Sequence, residues 1–153
     1  DKEPSRMNFK ICDLGSACKK NKRFSGEIQT LNYRSPEIIF RDTNYTEAID
    51  IWSLGCVYFE LLTGDYLFSQ AVQTGQTPEE THISCIIDLL RPQVKGETEH
   101  GIKNLLITKY GFLLPRACLY NNFILPLLNL RYTERLSAAE SLNHMNTLFK
   151  VKN

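Results

Sequence analysis

The sequence predicts a mainly α-helical domain, a helical bundle that carries one short strand and one long irregular loop. Three observations predict it. The run from Ile49 to Leu62 is apolar almost all round. Thr77–Glu80 and Ser137–Glu140 each spell a Ser/Thr-x-x-Glu helix start. From Ser16 to Pro36 the chain is polar and follows neither the helical nor the strand period.

In chain order, residues 1–8 read as a tail or the end of a spacer. Phe9-Lys10-Ile11-Cys12 alternates apolar and polar, which predicts a short strand, and Asp13-Leu14-Gly15 breaks it. An irregular loop of about 20 residues inside a domain is rare and usually functional. Thr46 then caps a helix through Leu62, stopped by Thr63-Gly64. A helix apolar on every side belongs in the middle of a core. Thr77-Pro78-Glu79-Glu80 supplies a cap, a first-turn proline and a capping-box acid. Ile83, Ile86, Ile87 and Leu90 follow at helical spacing until Arg91-Pro92. Gln93 to His100 is a charged loop. Ile102–Ile107 and Leu119–Leu130 read as amphipathic helices, with Pro126 a kink or a first-turn residue. Ser137-Ala138-Ala139-Glu140 opens a last helix to Phe149.

Composition narrows the function classes. The 153 residues are 42% hydrophobic and 23% charged with a net charge of +1, enough apolar material for a core and no whole-chain field toward nucleic acid or membrane. Cys12, Cys18, Cys56, Cys85 and Cys118 are odd in number and contain no Cys-x-x-Cys pair, which predicts a reducing compartment rather than a disulfide or zinc scaffold. His82, His100 and His144 lack metal-ligand spacing. No signal-peptide pattern opens the chain, and Asp50 and Glu60 interrupt its most apolar run.

Three motifs occur in a fixed order. They are Asp13-Leu14-Gly15, then Gln29-Thr30-Leu31-Asn32-Tyr33-Arg34-Ser35-Pro36-Glu37, then Asp50-Ile51-Trp52-Ser53-Leu54-Gly55-Cys56. Alone, Asp-Leu-Gly is an ordinary turn. With Glu134-Arg135-Leu136 and a final helix downstream, the ordered set is specific. Over residues 9–150 it resembles the large, C-terminal lobe of a eukaryotic protein kinase, from the metal-binding Asp-x-Gly motif to the last helix. Asp-Leu-Gly, Ile28-Gln29-Thr30, Phe59-Glu60-Leu61, Thr63-Gly64-Asp65-Tyr66-Leu67-Phe68 and Phe123-Ile124-Leu125-Pro126 make it most similar to the SR-protein kinases.

The resemblance implies a role for each matching residue. Asp13 would be a Mg²⁺ ligand, because a carboxylate is a hard oxygen donor suited to that ion. Thr30 would touch the catalytic loop, while Tyr33, Arg34 and Pro36 would shape the pocket for the substrate residue after the phosphorylated one. Glu37 and Arg135 would form a buried structural ion pair, and Asp50 would anchor the catalytic loop from the start of the central helix. Asp65 and Asp88 fall where this family places acidic docking residues for Arg-rich segments, with Thr81 at a third position. Glu80 reads equally as a cap and Asp88 as a solvated helix face. Lys19, Lys20, Lys22 and Arg23 read as a solvated basic loop or as a contact for an acidic partner or for phosphate on Ser16 or Ser25.

The catalytic Asp, the ATP-binding Lys and the Gly-rich loop of the family lie upstream of Asp-x-Gly, where this sequence holds only twelve residues. The expectation is therefore the C-terminal part of a split or truncated serine/threonine kinase. It would use ATP and Mg²⁺ and phosphorylate Arg/Ser-rich proteins of mRNA splicing once joined to its N-terminal half. The alternative is a non-catalytic remnant that docks proteins. Either would act in the cytoplasm, the nucleus or both, without contacting nucleic acid or membrane. Apolar surface near Phe9, Ile11 and Leu14 would stand uncovered in the isolated chain, leaving it marginally stable or prone to association.

Overall fold

The computed structural model describes residues 10–19, 22, 28–69, 74–91 and 101–150. Within them run six α-helices: α1 (Pro36–Ile39), α2 (Ala48–Thr63), α3 (Pro78–Leu90), α4 (Ile102–Thr108), α5 (Leu114–Leu127) and α6 (Ala138–Phe149). Short 3₁₀ turns stand at Leu14–Ser16, Leu31–Tyr33 and Tyr132–Glu134. The mainly helical bundle expected from the sequence is the fold that forms. The tail over residues 1–8 and the whole charged loop over residues 93–100 lie outside the described residues, as do Lys20, Arg23 and Ser25.

Two helix starts follow from four residues each. The Thr77 hydroxyl accepts from the Glu80 N–H at 3.1 Å, and the Glu80 carboxylate accepts from the Thr77 N–H at 2.7 Å. Ser137 and Glu140 repeat the exchange at 3.3 and 2.8 Å. Each box satisfies two backbone donors that a helix start would otherwise leave without partners. The end of α2 is equally local: Gly64 takes φ 80°, where any side chain is strained, and its N–H reaches the Glu60 carbonyl at 2.7 Å.

Helix α2 centres the core. Trp52, Cys56 and Phe59 are buried and pack with Phe68, Ile86, Ile102, Leu106, Ile124 and Leu127. α5 lies across α2 and α4, and α6 closes over α5. Gly55 lets α5 come close, for a Cβ there would meet Leu128 Cδ2 at 2.9 Å. The expectation that α2 is covered all round is corrected. Leu54, Val57 and Leu61 lie exposed along one side, Leu61 at 80%. Spacings of three, four and seven residues put them on one helical face that no described element covers. Thr46 is not the terminal cap either; Glu47 holds that position and does not cap the helix with its side chain, while Thr46 Oγ1 accepts from the Ala48 N–H at 3.3 Å.

Three further expectations change. Lys10, Ile11 and Cys12 form no strand, because alternation supplies a face but no neighbouring edge to pair with, and none lies among the described residues. Phe9 is outside them. α5 begins at Leu114 rather than Leu119, with Pro115 in its first turn, and ends at Leu127 rather than Leu130. Pro126 therefore sits in the last turn of a helix, where its missing N–H frees the Asn122 carbonyl. His144 of α6 takes that carbonyl at 2.9 Å and stacks on Phe123, so the proline is tolerated because a neighbouring helix supplies the lost donor.

Candidate functional site

The loop expected to be functional is organised by a residue the sequence reading did not single out for a role. Gln29 adopts φ 66°, the left-handed region. That turn directs its carbonyl to the Arg34 guanidinium, which donates from Nε at 3.2 Å and from Nη2 at 3.0 Å. The Gln29 amide donates to the Ile49 carbonyl at 2.9 Å and to Ser53 Oγ at 2.8 Å. Its side-chain oxygen accepts from the Ser35 N–H at 3.0 Å and from Ser35 Oγ at 3.2 Å. One side chain thus fastens the loop to the first turns of α2 and to the start of α1. The only trace in the sequence is a glutamine in a polar loop, and no local rule marks its partners.

The predicted pocket residues follow that scaffold. Arg34 is turned inward, its side chain 11% exposed, and its Nη1 stands 3.5 Å from Glu79 of α3. The Arg34 carbonyl lies 3.4 Å from Nε2 of buried His82. Tyr33 lends its carbonyl to Ser53 Oγ at 3.0 Å and its hydroxyl to Glu60 Oε2 at 2.6 Å. The carboxylate beside that hydroxyl disfavours the phenolate and pushes the Tyr33 pKa far up. Pro36 is buried at the start of α1. Thr30 is exposed; its carbonyl accepts from the Tyr33 N–H at 2.9 Å, and its hydroxyl has no partner among the described residues.

Glu37 and Arg135, 98 residues apart in sequence, meet as a two-point pair at 2.7 and 3.1 Å with side chains 3% and 0% exposed. Arg135 also donates to the Ala48 carbonyl at 2.7 Å and, from Nε and Nη2, to the Asn129 carbonyl. All five guanidinium protons are therefore used, the condition under which a buried arginine is tolerable. Its Cζ lies over the Trp52 ring, 5.1 Å from the ring centre. This pair fixes α1, and so the end of the functional loop, to the base of α2.

Asp13 and Asp50 line one open cleft of about 630 Å³, together with Ile11, Cys12, Leu14, Ile28 and Tyr45. Asp13 adopts φ 59°, is exposed, and has no side-chain partner among the described residues. Burial, then the nearby Glu47 carboxylate, raises the Asp50 pKa. Asp65 and Asp88 line a second groove of about 640 Å³ between the end of α2, α3 and α4. There Lys109 donates to Asp65 at 2.9 Å and Tyr110 does so at 2.8 Å, which holds the Asp65 pKa below the usual carboxylate range. Thr81, at the third docking position, is buried and bonded to Gln76, so it offers nothing to the groove. Lys19 and Lys22 are exposed.

Over residues 2–146 the sequence matches the protein kinase domain. The chain belongs to the protein kinase family. This kinase segment is 33% identical over 162 residues to SRSF protein kinase 3 of Mus musculus, covering 91% of the segment. It is 33% identical over 159 residues to the serine/threonine-protein kinase SRPK of Physarum polycephalum and 32% identical over 161 residues to protein kinase dsk1 of Schizosaccharomyces pombe, covering 88% and 90% of the segment. It spans 28%, 37% and 29% of those relatives' own lengths. The helical fold described above is that of the kinase large lobe.

The kinase segment divides its charged residues sharply. Glu37 and Arg135 are consumed by the fold, Arg34 by the loop's own backbone, and Asp65 by Lys109. Asp13, Asp50 and Asp88 are the predicted site carboxylates whose oxygens have no hydrogen-bond partner among the described residues. Of the five cysteines, Cys56 and Cys85 are buried, and all are free thiols.

Proposed function

We propose that this segment is the C-terminal part of a serine/threonine kinase domain that transfers phosphate from ATP to Arg/Ser-rich proteins when joined to its N-terminal half. One observation carries the reading. The activation segment is held in a fixed shape by the Gln29–Arg34 and Glu37–Arg135 contacts, with an acidic groove on the far side of Tyr33 and an unpartnered Asp13 in an open cleft. Phosphoryl transfer is chiefly positioning and charge neutralisation, so a rigid substrate platform and a carboxylate free to hold metal are the parts this lobe would contribute.

Asp13 fits Mg²⁺. It is an exposed hard oxygen donor on a sharp turn, and Mg²⁺ in kinase sites needs only one or two protein carboxylates beside the nucleotide's phosphates. When bound, that ion would supply positive charge to neutralise charge that develops on the phosphates during transfer. Thr30 and Asp50 would steady the catalytic loop of the N-terminal half. Asp50 suits this role because it stands in the first turn of α2 without an ion-pair partner among the described residues. Arg34, Tyr33 and Pro36 would form the floor beneath the substrate residue after the phosphorylated one. Arg34 acts by holding the Gln29 backbone rather than by touching substrate. Asp65 and Asp88 would receive guanidinium groups of the Arg-rich substrate.

The test is phosphorylation of an Arg-Ser repeat peptide by Mg-ATP, with this chain alone and with the chain extended upstream at its locus. The expected result is activity of the extended protein only, abolished by Asp13→Ala. If neither protein phosphorylates the peptide, yet the chain binds it and loses binding on Asp65→Asn with Asp88→Asn, the segment is a docking module and the catalytic reading falls.

A further inference from the structure

The three carboxylates of the groove between α2, α3 and α4 differ in what they already hold. Glu60 accepts the Tyr33 hydroxyl at 2.6 Å. Asp65 accepts the Lys109 ammonium at 2.9 Å and the Tyr110 hydroxyl at 2.8 Å. Lys109 also donates to the Tyr110 hydroxyl at 2.9 Å and lies 4.8 Å from the centre of that ring. Asp88 makes no hydrogen bond or ion pair among the described residues, although it lines the same groove. The chain thus places a cation of its own in a groove whose proposed cargo is cationic.

We infer that Lys109 is a built-in competitor for the basic partner: it occupies Asp65 until a guanidinium displaces it, and so leaves Asp88 to meet the partner first. This rests on reading the groove as the docking site for Arg-rich segments. Lysine suits a displaceable stopper, because its ammonium is a single point of charge on a flexible stem, whereas arginine presents two parallel donors that can take both carboxylate oxygens. The pair is half exposed on both sides, 57% and 52%, where ion pairs are weak and exchange readily. An incoming arginine therefore wins Asp65 on geometry, while an incoming lysine only replaces like with like. Lys109 makes the groove selective for arginine over lysine, besides reducing its negative charge.

The experiment is fluorescence anisotropy of labelled Arg-Ser and Lys-Ser repeat peptides on the 153-residue chain. It compares wild type with Lys109→Met, Lys109→Arg, Asp65→Asn, Asp88→Asn and the Asp65→Asn/Lys109→Met double variant. Lys109→Met is expected to bind the Arg-Ser peptide about threefold to tenfold tighter at about 50 mM salt, with the gain shrinking at about 500 mM as charges are screened. The Lys-Ser peptide should gain more than the Arg-Ser peptide, so the preference for arginine narrows. Lys109→Arg should bind no tighter than wild type, and Asp65→Asn should erase the gain that Lys109→Met gives. Equal or weaker Arg-Ser binding by Lys109→Met, with an unchanged melting temperature, would falsify the competitor role while the docking reading stands. A melting temperature that falls with Lys109→Met moves the comparison to Lys109→Gln, judged by the same two outcomes. If wild type binds neither peptide and Asp88→Asn changes nothing, the docking reading itself fails and the competitor goes with it.

Discussion

Arg135 and Asp13 are both charged residues of the ordered motifs, yet the fold treats them in opposite ways. Arg135 is fully buried, every N–H of its guanidinium has an acceptor, and its partner Glu37 is met at two points. Asp13 stands on an exposed arm in the left-handed region, flanked by Ile11 at 91% exposure and Leu14 at 67%. The first region cannot lose a partner without leaving a buried charge alone. The second has nothing to lose, because its carboxylate serves no structural bond among the described residues. A side chain that holds the lobe together must be saturated, whereas one that is to hold a metal or receive a substrate must be left open.

The sharpest way to break this comparison is Arg135→Ala. Removing one partner from a buried pair costs about 3–5 kcal/mol, a large share of the roughly 5–15 kcal/mol that holds a domain folded. Urea denaturation should show the chain largely unfolded or its midpoint greatly reduced. Glu37→Leu with Arg135→Met should recover much of that loss, since apolar residues of similar volume can replace a buried pair. A neutral Arg135→Ala would mean that the seam is not what fastens α1 to α2.

Next in size is Gly55→Ala. Alanine raises helix propensity, yet its methyl would press on Leu128 at 2.9 Å, and overpacking typically costs about 1–3 kcal/mol. A net destabilisation of about 1 kcal/mol is expected by thermal melting, relieved when Leu128 is also made smaller. A stabilised Gly55→Ala would show that α5 yields, and that the closely packed side of the molecule is less rigid than described.

A pH series tests the same packed side through His82. Burial against Phe68 lowers its pKa; the hydrogen bond to the Arg34 carbonyl and the Glu79 carboxylate oppose that shift, and the Arg34 guanidinium adds to it. A histidine whose folded pKa is depressed contributes stability that is present above its unfolded pKa, about 6.5, and is lost as pH falls through the lower folded value. The melting temperature should therefore drop on going from pH 7 toward pH 5, and His82→Gln should flatten that drop.

The smallest expected effect belongs to the open region. Asp13→Gly removes no structural contact and relieves a left-handed backbone at a non-glycine residue, so stability should stay within about 0.5 kcal/mol of wild type. In the upstream-extended protein the same substitution should abolish Mg-dependent phosphorylation. A large melting shift from Asp13→Gly would place Asp13 among the structural residues and erase the contrast with Arg135.

The capping boxes are legible locally. The boxes at Thr77/Glu80 and Ser137/Glu140 need only residues three apart, and both form as the spacing requires. The ordered motifs gave the protein kinase family, which the domain match establishes independently. The structure departs from local pattern chiefly where a distant segment decides. Lys10–Cys12 has strand alternation without an edge to pair with, and Pro126 can sit in the last turn of α5 because His144, eighteen residues on, takes the carbonyl it frees. α5 begins five residues early because Leu114 and Pro115 open it, a start hidden by the apolar run from Phe112.

By itself, then, the sequence determined the helical class, the capped helix starts, the order of the kinase motifs and the residues able to carry charge chemistry, because those depend on periodicity and near neighbours. Only the tertiary structure decided which charges are spent. It paired Glu37 with Arg135, turned Gln29 into the clasp of the loop before α1, set Lys109 on Asp65, buried Thr81 out of the groove and left Asp13, Asp50 and Asp88 open. Each of these except the Gln29 turn joins residues many tens of positions apart or depends on their packing, and hydrogen bonding and desolvation act on distance in space rather than along the chain.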